Sequence, residues 1–397
     1  MYRQSPRGFA TTAIHQKISF DDLTITYDVD SNYSEQGFQL NKKLAELDDG
    51  KYALSFPSGL AAASALFSLL KPGDHILVCS NIYGGTDRII REFLSEIKIE
   101  NTFLSDLSDS GVVSASLKPN TKLVYFETPS NPLTRITDIE GLVNEVRKIS
   151  SDIIIATDNT FLSPYFQKPL HLGVDIVLYS LTKYMNGHGD VVMGALVTNS
   201  KEYFNRLEKI QFCTGNYPSS IDCDLVFKGI KSLKVRMDRI QKSSLELAEY
   251  LENHPKIDKV LHPSLPSHPQ HKLALKQSYG FSGVFVFYIK NGTLENSVKL
   301  MESVKMVIGA ASLGGLETLM QIPVLTSHIM VPYEERVKME ITDNLLRVSV
   351  GLEDVEDLID DFTQALEIIG HPGSDVSSLC CRCWDQVNQA LFREHLN

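Results

Sequence analysis

The chain has no long apolar run, no excess of positive charge and no repeating cysteine pattern. A bilayer-spanning helix needs about 20 mostly apolar residues in a row, and no stretch approaches that. Lys and Arg number 38 against 49 Asp and Glu, a net charge of -11, which argues against a nucleic-acid-binding or anionic-membrane-binding surface. The six cysteines, Cys79, Cys213, Cys223, Cys380, Cys381 and Cys383, do not supply the two spaced pairs of a closed zinc site and form no disulfide framework. Reduced thiols and a cytoplasmic location without a bound metal are therefore expected. The run Cys-Cys-Arg-Cys-Trp (380–384) reads as a solvated terminal extension. The first twenty residues lack acid and carry Arg3, Arg7 and Lys17, but not the dense arginines of a transit peptide. Internal repeats and low-complexity segments are also missing.

What is present suits two or three globular domains: 397 residues, 43% hydrophobic and 22% charged. Four short runs are apolar on both faces: HILVCS (75–80), KLVYFET (122–128), DIIIATDN (152–159) and DIVLYS (175–180). Such runs belong to a mostly parallel sheet covered on both sides. GGTDRIIREFLSEI and DIEGLVNEVRKIS between them read as helices, so the pattern predicts an α/β fold. A stripe of Val226, Ile230, Leu233, Met237, Ile240, Leu247 and Leu251 predicts one long helix over 219–253. LHPSLPSHPQH (261–271) reads as a loop whose histidines are structural. SGVFVFYI (282–289) and LLRVSVGLE (345–353) then predict strands of a smaller α+β domain. The expected divisions are a short arm (1–35), a large domain (36–234) and a small domain with a terminal extension (235–397).

The segment LYSLTKYMNGHGDVVMGALV (178–197) puts Lys183 directly behind a buried strand, flanked by Ser180 and Thr182. Buried lysines are rare unless paired or chemically employed. Ligands of open α/β sheets sit at the carboxyl ends of strands, and three more features fall there. Asp158 ends IIIATD, Asn131 lies just past KLVYF, and Ser58 and Gly59 precede an apolar helix whose free N–H groups suit an anion. Together they match the needs of pyridoxal phosphate: a lysine amine for its aldehyde, a carboxylate for its ring nitrogen, and N–H groups and hydroxyls for its phosphate. Tyr83, after another strand end, could stack on the ring or simply pack at the surface.

Five stretches carry a closer likeness: KYALSFPSGLAA, DNTFLSPYFQKPLHLGVDIVLYSLTKYMNGHGDVVMG, LPSHPQH, SLGGLETL and LLRVSVGLEDVEDL. Through them the chain resembles the Cys/Met-metabolism family of pyridoxal phosphate enzymes from about residue 50 to 370. The resemblance implies an aspartate-aminotransferase-like (fold type I) architecture and a homotetramer built as a dimer of dimers. It implies Lys183 as the cofactor-bearing lysine and acid/base, Asp158 on the pyridine nitrogen and Tyr83 on the ring face. Phosphate would fall to Gly59, Leu60, Ser180, Thr182 and Tyr33; substrate to Asn131, Arg347, Ser312 and Arg88. The implied reaction is carbon–sulfur cleavage in trans-sulfuration, taking L-cystathionine to L-cysteine, 2-oxobutyrate and ammonia.

Three departures stand out. The family's Tyr-Ser-Arg-x-Gly-Asn-Pro-Thr-Arg stretch, which enters the neighbouring subunit's site, corresponds to NYSEQGFQLNKK (32–43), with Glu35 at the arginine position. The upstream segment is short, and Ala311 replaces the acid that usually precedes Ser-Leu-Gly-Gly in γ-lyases. A β-lyase or γ-synthase relative, and a weakened paralogue acting as a subunit or binding protein, are the alternatives these departures raise.

Overall fold

The computed structural model describes residues 18–21, 24–27, 34–107, 109–329, 331 and 333–369. Two short strands, β1 (Ile18–Asp21) and β2 (Thr24–Tyr27), pair antiparallel. A seven-stranded sheet follows: β3 (Tyr52–Phe56), β4 (His75–Cys79), β5 (Glu100–Leu104), β6 (Thr121–Glu127), β7 (Ile154–Asp158), β8 (Ile176–Ser180) and β9 (Gly194–Thr198). Their spatial order is β3-β9-β8-β7-β6-β4-β5, and only β9 runs against the others. The four strands predicted for the α/β region all lie in its parallel part.

Alternate residues of each strand feed two separate cores, as the two-residue period of a strand requires. Leu123, Tyr125, Ile154, Ala156, Ile176 and Leu178 pack on one face with the helix Gly59–Phe67. Val124, Phe126, Ile155, Val177 and Tyr179 pack on the other, against the helices Glu35–Leu47 and Ile139–Ile149. Both faces are buried, which explains why these strands read as continuous apolar runs.

A five-stranded sheet completes the fold, in the order β10 (Ile257–Leu261), β11 (Val284–Ile289), β14 (Leu345–Ser349), β13 (Leu319–Gln321), β12 (Ile308–Gly309). Its core, including Phe285, Phe287, Leu346, Val348 and Phe362, is distinct from the first two. The histidines of 261–271 are structural: the ring nitrogens of His262 and His268 accept from Ser264 and Gln270 N–H groups, each at 3.1 Å.

The helix expected over 219–253 is two helices, Ser220–Lys231 and Leu233–Glu252. Ser232 breaks it at φ -101°, ψ 1°. Its hydroxyl donates to Gly229 O at 3.0 Å, and Arg236 takes the same carbonyl at 2.9 Å. An apolar stripe continues through such a break, so periodicity alone reads straight across it.

Candidate active site

β8 ends at Ser180 and the chain coils at once: Lys183 N–H donates to Ser180 O at 3.2 Å and Gly187 N–H to Lys183 O at 2.7 Å. Behind this coil the buried Arg236 guanidinium donates to Tyr184 O at 2.7 Å, closing a carbonyl the turn leaves free. The Lys183 side chain enters a cavity of about 440 Å³ at the carboxyl ends of β4, β6, β7 and β8. There Nζ donates to Ser312 Oγ at 2.6 Å. Ser312 comes from the loop between β12 and β13, which can approach because of Gly314: a Cβ there would lie 2.7 Å from Tyr184 N. Burial first, and then the Arg347 charge, lower the Lys183 amine to a pKa of about 8. A lysine so placed is a usable base and nucleophile near neutral pH.

Two carboxylates face the same cavity. Asp158 ends β7, and its Oδ1 accepts Thr160 N–H at 2.8 Å. Glu127 ends β6 and is the register partner of Asp158; its Oε1 accepts Tyr83 N–H at 2.9 Å. Burial raises both pKa values, that of Asp158 to about 6 against the pull of its Thr160 hydrogen bonds. Neither carboxylate is in an ion pair among the described residues. A ligand presenting a protonated ring nitrogen would supply the missing cation.

At the opposite wall Ser58 caps the helix Gly59–Phe67, its Oγ accepting Ala61 N–H at 2.9 Å. The Gly59 and Leu60 N–H groups are left with no acceptor among the described residues. They meet Ser180, since a Cβ on Gly59 would come within 3.3 Å of Ser180 Oγ. The result is an anion cradle at a helix start. The Thr182 hydroxyl, by contrast, is already engaged with Met193, accepting its N–H at 3.0 Å and donating to its O at 3.2 Å.

Arg347, on β14, is 4% exposed. It donates to Asn131 Oδ1 at 2.8 Å and Ser312 O at 2.6 Å. Gln321, turned so that its oxygen faces the guanidinium, accepts at 3.1 to 3.3 Å. Three neutral oxygens thus hold the guanidinium without neutralising it. Burial lowers its pKa to about 10, so it stays charged at pH 7. A buried cation beside a cavity, with no ion pair among the described residues, suits a carboxylate ligand.

Residues 10–367 match the family model described as Cys/Met metabolism PLP-dependent enzyme. The chain belongs to that family. It is 43% identical over 382 residues to the Homo sapiens protein named cystathionine gamma-lyase, covering 94% of this chain and 93% of the relative. A Dictyostelium discoideum protein of the same name is 42% identical, covering 85% and 87%. A solved structure of cystathionine gamma-lyase from Lactobacillus plantarum, complexed with L-serine, superposes with a TM-score of 0.82 at 33% identity, covering 93% and 91%. The architecture is therefore fold type I, and the cofactor of this family is pyridoxal 5'-phosphate.

The site fits that cofactor: an amine of lowered pKa, unpaired carboxylates on the sheet and an open helix start line one cavity. Of the residues expected from sequence, Lys183, Asp158, Tyr83, Gly59, Leu60, Ser180, Thr182, Asn131, Ser312 and Arg347 all line it. Arg88 does not: its side chain is 61% exposed and faces Glu92 at 3.9 Å. It leaves the wall because it ends the short helix Gly84–Arg88 on the solvent side. Tyr33 lies outside the described residues. Glu35 is the exposed first residue of the helix Glu35–Leu47, accepting from Gln39 at 2.8 Å, where an acid suits the helix dipole. Sequence reading missed Glu127, Thr160 and Gln321. Glu127 and Thr160 carried a signal, since each sits at or just past a parallel strand's carboxyl end; Gln321 carried none.

Proposed function

We propose that this enzyme is a cystathionine γ-lyase of trans-sulfuration, cleaving L-cystathionine, with one water consumed, to L-cysteine, 2-oxobutyrate and ammonia. The supporting observation is one cavity that joins the Lys183 amine, the Asp158 carboxylate and the Arg347 cation, in a chain 43% identical to a named cystathionine gamma-lyase. Bound pyridoxal phosphate supplies an electron sink for the substrate carbon that carries the amino group. Lys183 would hold the cofactor covalently, then take the proton from the substrate α-carbon and return protons as the γ-sulfur leaves. Asp158 would stay ionised against the ring nitrogen. The Gly59 and Leu60 N–H groups and Ser180 would carry the phosphate. Arg347, with Asn131 beside it, would clamp the substrate carboxylate.

The finer reading is a cytoplasmic homotetramer in which a second copy covers the cavity. Leu60, Tyr83 and Val192 line the cavity yet are exposed and apolar, which supports such a cover. Tyr83 would then be sandwiched between the cofactor ring and the cover. Mass spectrometry of the products of cystathionine tests the activity. 2-Oxobutyrate supports γ-cleavage, pyruvate points to β-cleavage, and no turnover by cofactor-loaded protein overturns the reading. Analytical ultracentrifugation tests the assembly.

A further inference from the structure

Glu127 has no part in the reaction outlined above, yet it is only 5% exposed and lines the cavity. It closes β6 as the register partner of Asp158 at the end of β7. Register partners in a parallel ladder project to the same face from strands about 4.8 Å apart. A buried carboxyl group, Glu127, and a half-buried one, Asp158, are thus held side by side. Among the described residues the titratable groups that interact with Glu127 are Asp158 from β7, Tyr125 from its own strand and, from the opposite face of the sheet, Cys79 at the end of β4. Lys183 and Arg347 share the cavity, but neither is ion-paired to it among the described residues.

The two carboxyl groups are unequally supported. Asp158 accepts from the Thr160 backbone N–H and is further stabilised as an anion by the Thr160 side chain. Among the described residues, Glu127 accepts one hydrogen bond, from Tyr83 N–H. Adjacent buried carboxylates share a proton because two like charges there cannot both persist. We propose that Glu127 is a positioning residue that keeps this proton. As a neutral acid it anchors the Tyr83 backbone in the cavity wall and leaves Asp158 as the sole anion for the cofactor's ring nitrogen. Burial and the Asp158 charge both push the Glu127 acid in this direction. The proposal deepens the site reading above and rests on it.

Infrared difference spectra of wild type against Glu127→Gln test the proton directly. An un-ionised carboxylic-acid band at neutral pH, present in wild type and lost in Glu127→Gln, is expected. In Asp158→Asn, where the repelling partner is gone, that band should titrate away at least about one pH unit lower. If no acid band at neutral pH distinguishes wild type from Glu127→Gln, Glu127 is ionised and the proposal falls. Equilibrium binding of pyridoxal phosphate tests the anchor. Glu127→Ala strands the Tyr83 N–H, whereas Glu127→Gln keeps a neutral oxygen there. The Gln variant should therefore bind the cofactor about tenfold more tightly than the Ala variant. Equal weakening in both would refute the neutral-acid role. Failure of wild type to bind the cofactor would instead overturn the site reading, and the infrared result on the cofactor-free protein would still decide the proton.

Discussion

Replacing Arg347 by Lys tests the carboxylate clamp most sharply, because the structure shows what each donor of the guanidinium does. Two of its donors are spent on Asn131 Oδ1 and Ser312 O, and Gln321 turns its oxygen to the same group. Lysine keeps the charge but loses the planar fork that can hold these oxygens and a carboxylate together. One charge-assisted hydrogen bond to substrate goes, worth about 1.5–3 kcal/mol, and a buried acceptor left unpaired adds about 1–3 kcal/mol. The sum, about 2.5–6 kcal/mol, corresponds to a fall of roughly 60- to 10⁴-fold in kcat/KM. Steady-state kinetics on cystathionine measure it, with the visible spectrum of the bound cofactor as a control for the rest of the site. A substrate amidated at its α-carboxyl supplies the partner perturbation. Wild type should lose a comparable factor on it, and Arg347→Lys little more, because the interaction is then already absent. A fall below about fivefold, or equal extra losses on both substrates, would show that Arg347 serves the fold and not the carboxylate.

Three further expectations follow from named groups. Covalent capture of pyridoxal phosphate by cofactor-free protein should accelerate as pH rises through about 8, where Lys183 loses its proton, and Arg347→Met should move that midpoint upward; a rate flat across this range contradicts the lowered amine pKa. Asp48 is buried at the end of the helix Glu35–Leu47 with its Oδ1 on the Tyr179 hydroxyl at 2.9 Å, and burial raises its pKa from 3.8 to about 7. The folded value exceeds the unfolded one, so the favourable contribution is full below the unfolded pKa and is lost as pH rises towards about 7. Asp48→Asn should therefore gain on wild type by up to a few kcal/mol between about pH 4 and 8, read as urea midpoints; a pH-independent difference argues against this account. Glu35→Arg should cost the helix about 0.3–1 kcal/mol through the dipole, yet tighten cofactor binding if this segment reaches a neighbouring subunit's phosphate. An unchanged dissociation constant would place residue 35 outside that site.

The sequence alone was enough to expose the α/β pattern, Lys183, Asp158 and the helix start at Ser58. Each is a local event: a strand buried on both faces must read as a continuous apolar run, and its carboxyl end must carry whatever the ligand needs. The Arg347 cage was legible only in part. Arg347 and Asn131 lie 216 residues apart and Gln321 stands on another strand, so their meeting depends on how the two sheets pack. Glu127 was passed over for a similar reason: a glutamate ending a strand looks like a solvated turn residue until its register partner is known to be Asp158. Arg88 shows the converse, a residue with the right chemistry that its short helix turns towards water. The break at Ser232 likewise belongs to tertiary structure. Its apolar stripe is unbroken, but a Cβ on Gly229 would lie 2.2 Å from Asn186 O, and Arg236 must reach the Tyr184 and Met185 carbonyls behind Lys183. Periodicity records which residues are buried; which partner buries them is decided only when distant segments meet.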